Sequence, residues 1–196
     1  MSDRCIRRYW RRLALAACVG AALGPASSAA QGIVAVGDLG PGEVCFTTGN
    51  HSTEGADCAA LIVREIDAAS ASLLVQAYNF TERRIIAAII AAYRRGVPVT
   101  VIVDKTSMRQ RGEGVTAVRA AGIPVFVDRK PRIAHNKVIV IDGTTVITGS
   151  FNFSARAECC NAENLLIVRS PALAAAYAAN FARRRSVSEA LAASDP

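Results

Sequence analysis

The sequence predicts an α/β fold: a mixed, mostly parallel sheet with helices on both faces. Two observations predict it. Apolar, β-branched runs ("SLLVQAYNF", "VPVTVIVD", "IPVFVD") alternate with helical stretches ("ADCAALIVREIDAA", "TERRIIAAIIAAYRR", "GVTAVRAAG"), the pattern of βαβ crossovers around buried parallel strands. Then "HNKVIVID" and "TVITGS" flank Gly143-Thr144 and read as a hairpin, which makes the sheet mixed. With 196 residues, 52% hydrophobic and 20% charged, the chain suits one domain with a real core and is not disordered overall.

The elements follow in order. "MSDRCIRRYWRR" is basic, "LALAACVGAALG" apolar and "PASSAA" small, the layout of a secretory signal over residues 1–30 with cleavage near Ala30–Gln31. The apolar run is too short for the ~20 residues of a membrane span, so export to the periplasm is expected, with no stable span in the mature form. Arg7-Arg8 and Arg11-Arg12 raise a twin-arginine route. A lipid anchor at Cys18, after "LAA", is the alternative. Residues 31–42 read as a linker and residues 43–185 as the folded domain, leaving 186–196 as a tail. "EVCFT" is a short strand. Leu61, Ile62, Ile66 and Ala69 form a helical stripe, and Ile85/Ile86 and Ile89/Ile90 form another, begun by a Thr81 cap and stopped at Gly96. "ENLLIVR" is the last strand. Ser170-Pro171 opens the final helix, with Leu173, Tyr177 and Phe181 on one face. No segment repeats.

The full chain carries a formal charge of +7, but without residues 1–30 it has 18 basic and 15 acidic residues. Much of the basic signal therefore belongs to the leader. The remainder is compatible with a polyanionic substrate without arguing for one.

Of six cysteines, Cys5 and Cys18 fall in the leader. In an oxidising compartment Cys45–Cys58 is the first choice for a disulfide, stapling the loop "FTTGNHSTEGAD" to a helix start. Zinc on these cysteines with His51 is the weaker competitor, because no Cys-x-x-Cys pair is present. Cys159 and Cys160 are adjacent and are expected not to pair, remaining free thiols or packing residues.

The chemistry concentrates in "HNKVIVIDGTTVITGSFNFS". His135 and Lys137 are two apart, so on a strand both point to one face. Ser150 and Asn152, also two apart, follow the return strand. Asp142 and Gly149 complete the spacing. An imidazole, an ammonium, a hydroxyl and an amide around one volume suit an oxyanion such as a phosphodiester. Taken singly, each residue has a plainer reading: a core histidine, a snorkelling lysine, a turn. The joint spacing is what carries weight.

At these residues the sequence resembles the phospholipase D superfamily, and within it the small bacterial endonuclease branch. "VCFTTG…DC", "LLVQAYNFT", "AAYRRGVPVTVIVDK" and "NAENLLIV" extend the likeness over most of residues 43–182. The resemblance implies a phosphodiesterase domain in which two signatures face each other across a two-fold axis. It implies that one histidine attacks phosphorus to form a phosphohistidine while the other protonates the leaving oxygen and then activates water. It implies no metal or other cofactor. His135, Lys137, Asn152 and Glu163 are then catalytic, with Lys137, Ser150 and Asn152 holding phosphate and Glu163 orienting the histidine. Asp142 and Gly149 are structural members of the signature.

This chain has one His-x-Lys, since His51 is followed by Ser52 and Thr53. A two-histidine mechanism therefore predicts a homodimer with the contact at the site. Nucleic acid is the expected substrate, DNA first and RNA second. Arg109, Arg111, Arg129, Lys130 and Arg132 lie in two loops suited to tracking a phosphate backbone, and no base-reading motif is visible. Hydrolysis of phospholipid head groups is the alternative, and a nucleic-acid-binding homologue without turnover is a third reading.

Overall fold

The computed structural model describes residues 33–35, 41–49, 57–108 and 113–192. The expected signal, His51, Arg109, Arg111 and most of the linker lie outside them. A nine-stranded sheet organises the chain. In chain order the elements are β1 (Ile33–Ala35), β2 (Gly42–Thr48), α1 (Cys58–Asp67), β3 (Leu73–Ala77), α2 (Arg83–Arg94), β4 (Val99–Asp104), α3 (Glu113–Ala120), β5 (Val125–Asp128), β6 (Lys137–Ile141), β7 (Thr145–Gly149), α4 (Ala155–Cys159), β8 (Ala162–Arg169), α5 (Pro171–Ser186) and β9 (Glu189–Ala190). The spatial order is β1-β2-β8-β7-β6-β3-β4-β5-β9.

The sheet is mixed, as expected, but its balance differs from the expectation of mostly parallel pairing. Only β3–β4 and β4–β5 run parallel. The other described pairings are antiparallel. Parallel neighbours need crossovers of a dozen or more residues, and the chain has such helical crossovers only through α2 and α3. From β6 onward each described strand pairs antiparallel, through a tight turn between β6 and β7 and through α4 and α5 thereafter.

Helices cover both faces. Leu73, Val75, Ile139 and Ile141 point toward α1, α2 and α3, where Ile62, Ile66, Ile85 and Ile89 are fully buried. The alternate residues Leu74, Val138, Val140 and Val146 face α5. That is the period-2 alternation of a strand buried on both sides. The face of α5 differs slightly from the sequence reading. Ala174 and Phe181 are buried with Tyr177 packed between, whereas Leu173 is 36% exposed. Spacings of three and four track a helical stripe better than two fours.

Several boundaries shift. β1 lies within the expected linker and β9 within the expected tail, and both pair into the sheet. The N-cap of α2 is Glu82, whose carboxylate accepts from the Arg84 N–H, while the Thr81 N–H donates to the Phe153 carbonyl. The hairpin turn centres on Asp142-Gly143, with φ of 53° and 63°, closed by the Thr144 N–H donating to the Ile141 carbonyl at 3.0 Å. Positive φ at both central residues marks a type I′ turn, which matches strand twist.

Cys45 and Cys58 form the expected disulfide. It joins β2 to the first residue of α1 and leaves neither sulfur as a thiolate for zinc. Cys159 and Cys160 correct the expectation of unpaired thiols, since they bond to each other, with Cα atoms 3.8 Å apart. At Cys160 the chain leaves α4, with φ −136° and ψ −12°, so its side chain no longer follows the helical rotation that separates neighbours.

Candidate active site

One edge of the sheet gathers the carboxyl ends of β3, β4, β5 and β7 with the amino ends of β6 and β8, because Ala77 pairs with Lys137 and Gly149 with Leu165. Crevices at the carboxyl ends of parallel strands are where α/β sheets bind ligands. The signature residues meet there.

Lys137 opens β6 in register with Ile139 and Ile141, so its stem runs on the α1–α3 side and the residue is only 6% exposed. Its ammonium emerges beside His135, with Nζ 2.9 Å from each imidazole nitrogen and 3.0 Å from the His135 carbonyl. Burial pushes the Lys137 amine below the usual lysine range, and the charge of Glu163 opposes that shift. His135 itself is exposed, just ahead of the strand.

Two residues that the sequence reading did not single out hold this pair. Tyr78, one residue past β3, sets its ring edge-on to His135 with centroids 4.4 Å apart and lies 5.1 Å from the Lys137 ammonium. Its own backbone is fixed by the buried Ser107, whose Oγ donates to the Tyr78 carbonyl at 2.6 Å. Asp104, fully buried at the end of β4, accepts the Ala134 N–H at 2.6 Å and so anchors the residue before the histidine. Burial alone would raise the Asp104 carboxyl, but the Thr106 hydroxyl and the N–H groups of Ala134 and Thr106 hold it below the usual range. The β3–β4–β6 register creates these contacts, and no local motif announces them.

Gly149 explains the second half of the signature. A Cβ there would sit 2.3 Å from the Asn164 carbonyl oxygen, and its φ is 151°. The close approach lets that carbonyl accept from both the Ser150 and Phe151 N–H groups, at 3.1 and 3.2 Å. The chain thereby turns out of β7. Phe151 and Phe153 are both buried, at 0% and 1%, and fix Asn152 between them. The Asn152 Oδ1 is buried and makes no hydrogen bond, an unspent polar group of the kind that binding sites retain. Ser150 Oγ donates to Glu163 Oε2 at 2.5 Å, and Asn161 Nδ2 donates to Glu163 Oε1 at 2.9 Å. The expected Glu163–His135 hydrogen bond is not made within the chain. The carboxylate is taken up by Ser150 and Asn161, and Lys137 stands against the imidazole nitrogens.

Asp142 lies at the far end of β6, roughly 17 Å along the strand from Lys137 at ~3.3 Å per residue. Its carboxylate accepts the N–H groups of Ser70, Ala71 and Ser72 at 3.0, 2.7 and 2.8 Å. Burial alone would raise its pKa, but these backbone donors with the Ser70 hydroxyl hold it below the usual carboxylate range. It fastens the α1–β3 loop to the hairpin. Among the loop cations, Arg129 pairs with Glu189 at 2.7 Å, while Lys130 and Arg132 are exposed in the segment that precedes His135 in the chain.

The family described as "Cardiolipin synthase, PLD-like domain" matches residues 62–185. This chain belongs to the phospholipase D-like family. Within that family, phospholipase D of Rickettsia conorii is 41% identical over 134 residues, covering 68% of this chain and 67% of that protein. Mitochondrial cardiolipin hydrolase of Xenopus laevis is 35% identical over 115 residues, 59% of this chain and 55% of that protein. The crystal structure of Nuc, a phospholipase D family member from Salmonella typhimurium, superposes with a TM-score of 0.68 at 34% identity, covering 76% of this chain and 97% of that one. The phospholipase D-like fold and a phosphodiesterase hydrolase activity follow from these likenesses.

Proposed function

We propose that the mature protein is an exported, homodimeric phosphodiesterase that cleaves nucleic acid without sequence preference and without a metal. The observation that carries this reading is the pairing of exposed His135 with buried Lys137 at 2.9 Å. Lys137 supplies the charge that a developing phosphorane needs. The Asn152 amide N–H offers a hydrogen bond to its oxygens, whereas the one proton of the Ser150 hydroxyl is given to Glu163.

In the first step an imidazole nitrogen of neutral His135 attacks phosphorus. The bond to the leaving oxygen breaks, and that oxygen takes a proton from the partner's His135. In the second, the partner's His135 removes a proton from water, which attacks phosphorus and releases His135. Two in-line displacements retain configuration at phosphorus. Glu163 supports Lys137 by charge and Ser150 by its hydrogen bond. The chain has a single His-x-Lys, so the second histidine comes from a second copy.

Export rests on the leader-like first 30 residues. For the substrate, the similarity to Nuc and the exposed cations Lys130 and Arg132, which precede His135 in the chain, support a polyanion. The name phospholipase D on a relative 41% identical favours lipid head groups as the second reading. Plasmid digestion in EDTA by the purified chain decides between them. Cleavage abolished by His135→Ala supports the proposal. Choline release from phosphatidylcholine without plasmid cleavage establishes the lipid reading, and cleavage that requires an added metal removes the metal-free mechanism.

A further inference from the structure

A second cleft, about 340 Å³, opens beside the reaction centre, where the loop from β3 to α2 meets the start of α4. Its walls are Asn79, Thr81, Asn152, Ser154, Arg156 and Asn161, with no aliphatic or aromatic side chain among them. Asn152 belongs to both spaces: its neighbour on one side is the signature hydroxyl of Ser150, and its buried Oδ1 has no hydrogen-bond donor. Arg156, four residues on, is exposed and makes no ion pair with any described residue. Elsewhere in the domain, arginines such as Arg64, Arg84, Arg169 and Arg184 are neutralised by carboxylates. The cleft therefore presents an uncompensated cation, Arg156, on the same wall as Asn152, the residue assigned to the scissile phosphate.

We propose that this cleft binds the phosphate adjacent to the scissile one in a polyphosphodiester, with Arg156 as its cation. The inference rests on the nucleic-acid reading above and refines it. Successive phosphates of a strand are one nucleotide apart, so a substrate held at Asn152 must place its next anion close by. A guanidinium suits it, because its planar donors meet phosphate oxygens in pairs. The orphan Oδ1 of Asn152 accepts from a water bound to one of the phosphates or, in RNA, from the 2′-hydroxyl between them. A phospholipid carries acyl chains beside its diester, and this mainly polar wall gives them little apolar surface to pack on.

The test uses the full chain and three short substrates: the dinucleotide TpT, which has one diester and no other phosphate, and pTpT and TpTp, which each add one flanking phosphate. Wild-type protein is expected to favour at least one of the phosphorylated dinucleotides over TpT by about ten-fold in kcat/KM, mainly through KM. Arg156→Ala is expected to lose most of that preference, and Arg156→Lys to keep part of it. Arg156 is exposed, so these variants should fold, and circular dichroism checks that they do. Equal kcat/KM for all three substrates in the wild type overturns the subsite. So does an Arg156→Ala variant that loses the same factor on TpT as on the phosphorylated forms. A wild-type chain that cleaves none of the three but hydrolyses phospholipid vesicles overturns the nucleic-acid reading itself, and the subsite with it.

Discussion

Lys137 holds a positive charge where burial disfavours one, and the opposing charge of Glu163 limits the shift. The alkaline limb of the kcat/KM profile is therefore expected below the usual lysine range. Glu163→Gln removes the opposing charge, so that limb should move to lower pH as turnover falls. A pH profile of both proteins checks this, and an unmoved limb separates Glu163 from Lys137. His135→Ala should abolish turnover while leaving the fold intact, because the imidazole is exposed and its ring meets Tyr78 and Lys137 at the surface. Gly149→Ala tests the close approach behind the signature. Its Cβ meets the Asn164 backbone at 2.3 Å, and forcing atoms into a packed site costs about 1–3 kcal/mol. Denaturant unfolding should read that loss, with activity lost as well because Ser150 and Asn152 follow directly. Tyr78 and Asp104 could not be found at this scale from the sequence. Nothing near "AYNF" or "VIVDK" marks a contact with a histidine 30 or more residues away, and only strand register brings them together.

At the scale of elements, the β6–β7 hairpin separates two jobs along one strand. Its open end carries Lys137, and its closed end carries the Asp142 turn. Removing the Asp142 carboxylate strands the N–H groups of Ser70, Ala71 and Ser72, at about 1–3 kcal/mol for a lost set of charge-assisted bonds. Asp142→Ala should therefore lower stability while folded molecules keep their turnover. The folded carboxyl lies below its unfolded value, so its contribution is complete above the unfolded pKa, ~4. It is lost as pH falls through the depressed folded pKa. Wild-type stability should thus decline in acid more steeply than that of Asp142→Ala, a difference that urea midpoints across that range would show or refute. The Cys45–Cys58 staple spans 13 residues, and closing so short a loop contributes roughly 3 kcal/mol in the chain-entropy model. Reduction, or Cys58→Ser, should release it. That staple was legible because its loop is local and the compartment was inferred from the leader. The Cys159–Cys160 bond was not, because it depends on where α4 ends.

For the whole molecule, the decisive expectation is the second copy. If two chains share one site, co-expressing equal amounts of wild type and His135→Ala leaves roughly a quarter of the activity, since only wild-type pairs carry both histidines. Independent sites would leave about half, and that result would remove the shared site. The sequence by itself determined the main strands and helices from β2 to α5 apart from α4, the single signature spanning His135 to Asn152, and the family it points to. Those depend on short-range periodicity and on spacings a strand or turn imposes locally. It misjudged the sheet as mostly parallel, because pairing direction depends on which strands become neighbours. The tertiary structure alone decided that Tyr78, Asp104 and Glu163 converge on one sheet edge with Lys137, that Glu163 bonds Ser150 instead of His135, and that Arg156 stands uncompensated beside Asn152. The physical reason is that these contacts join elements far apart in the chain, through a register set by burial on both faces of the sheet rather than by any local pattern.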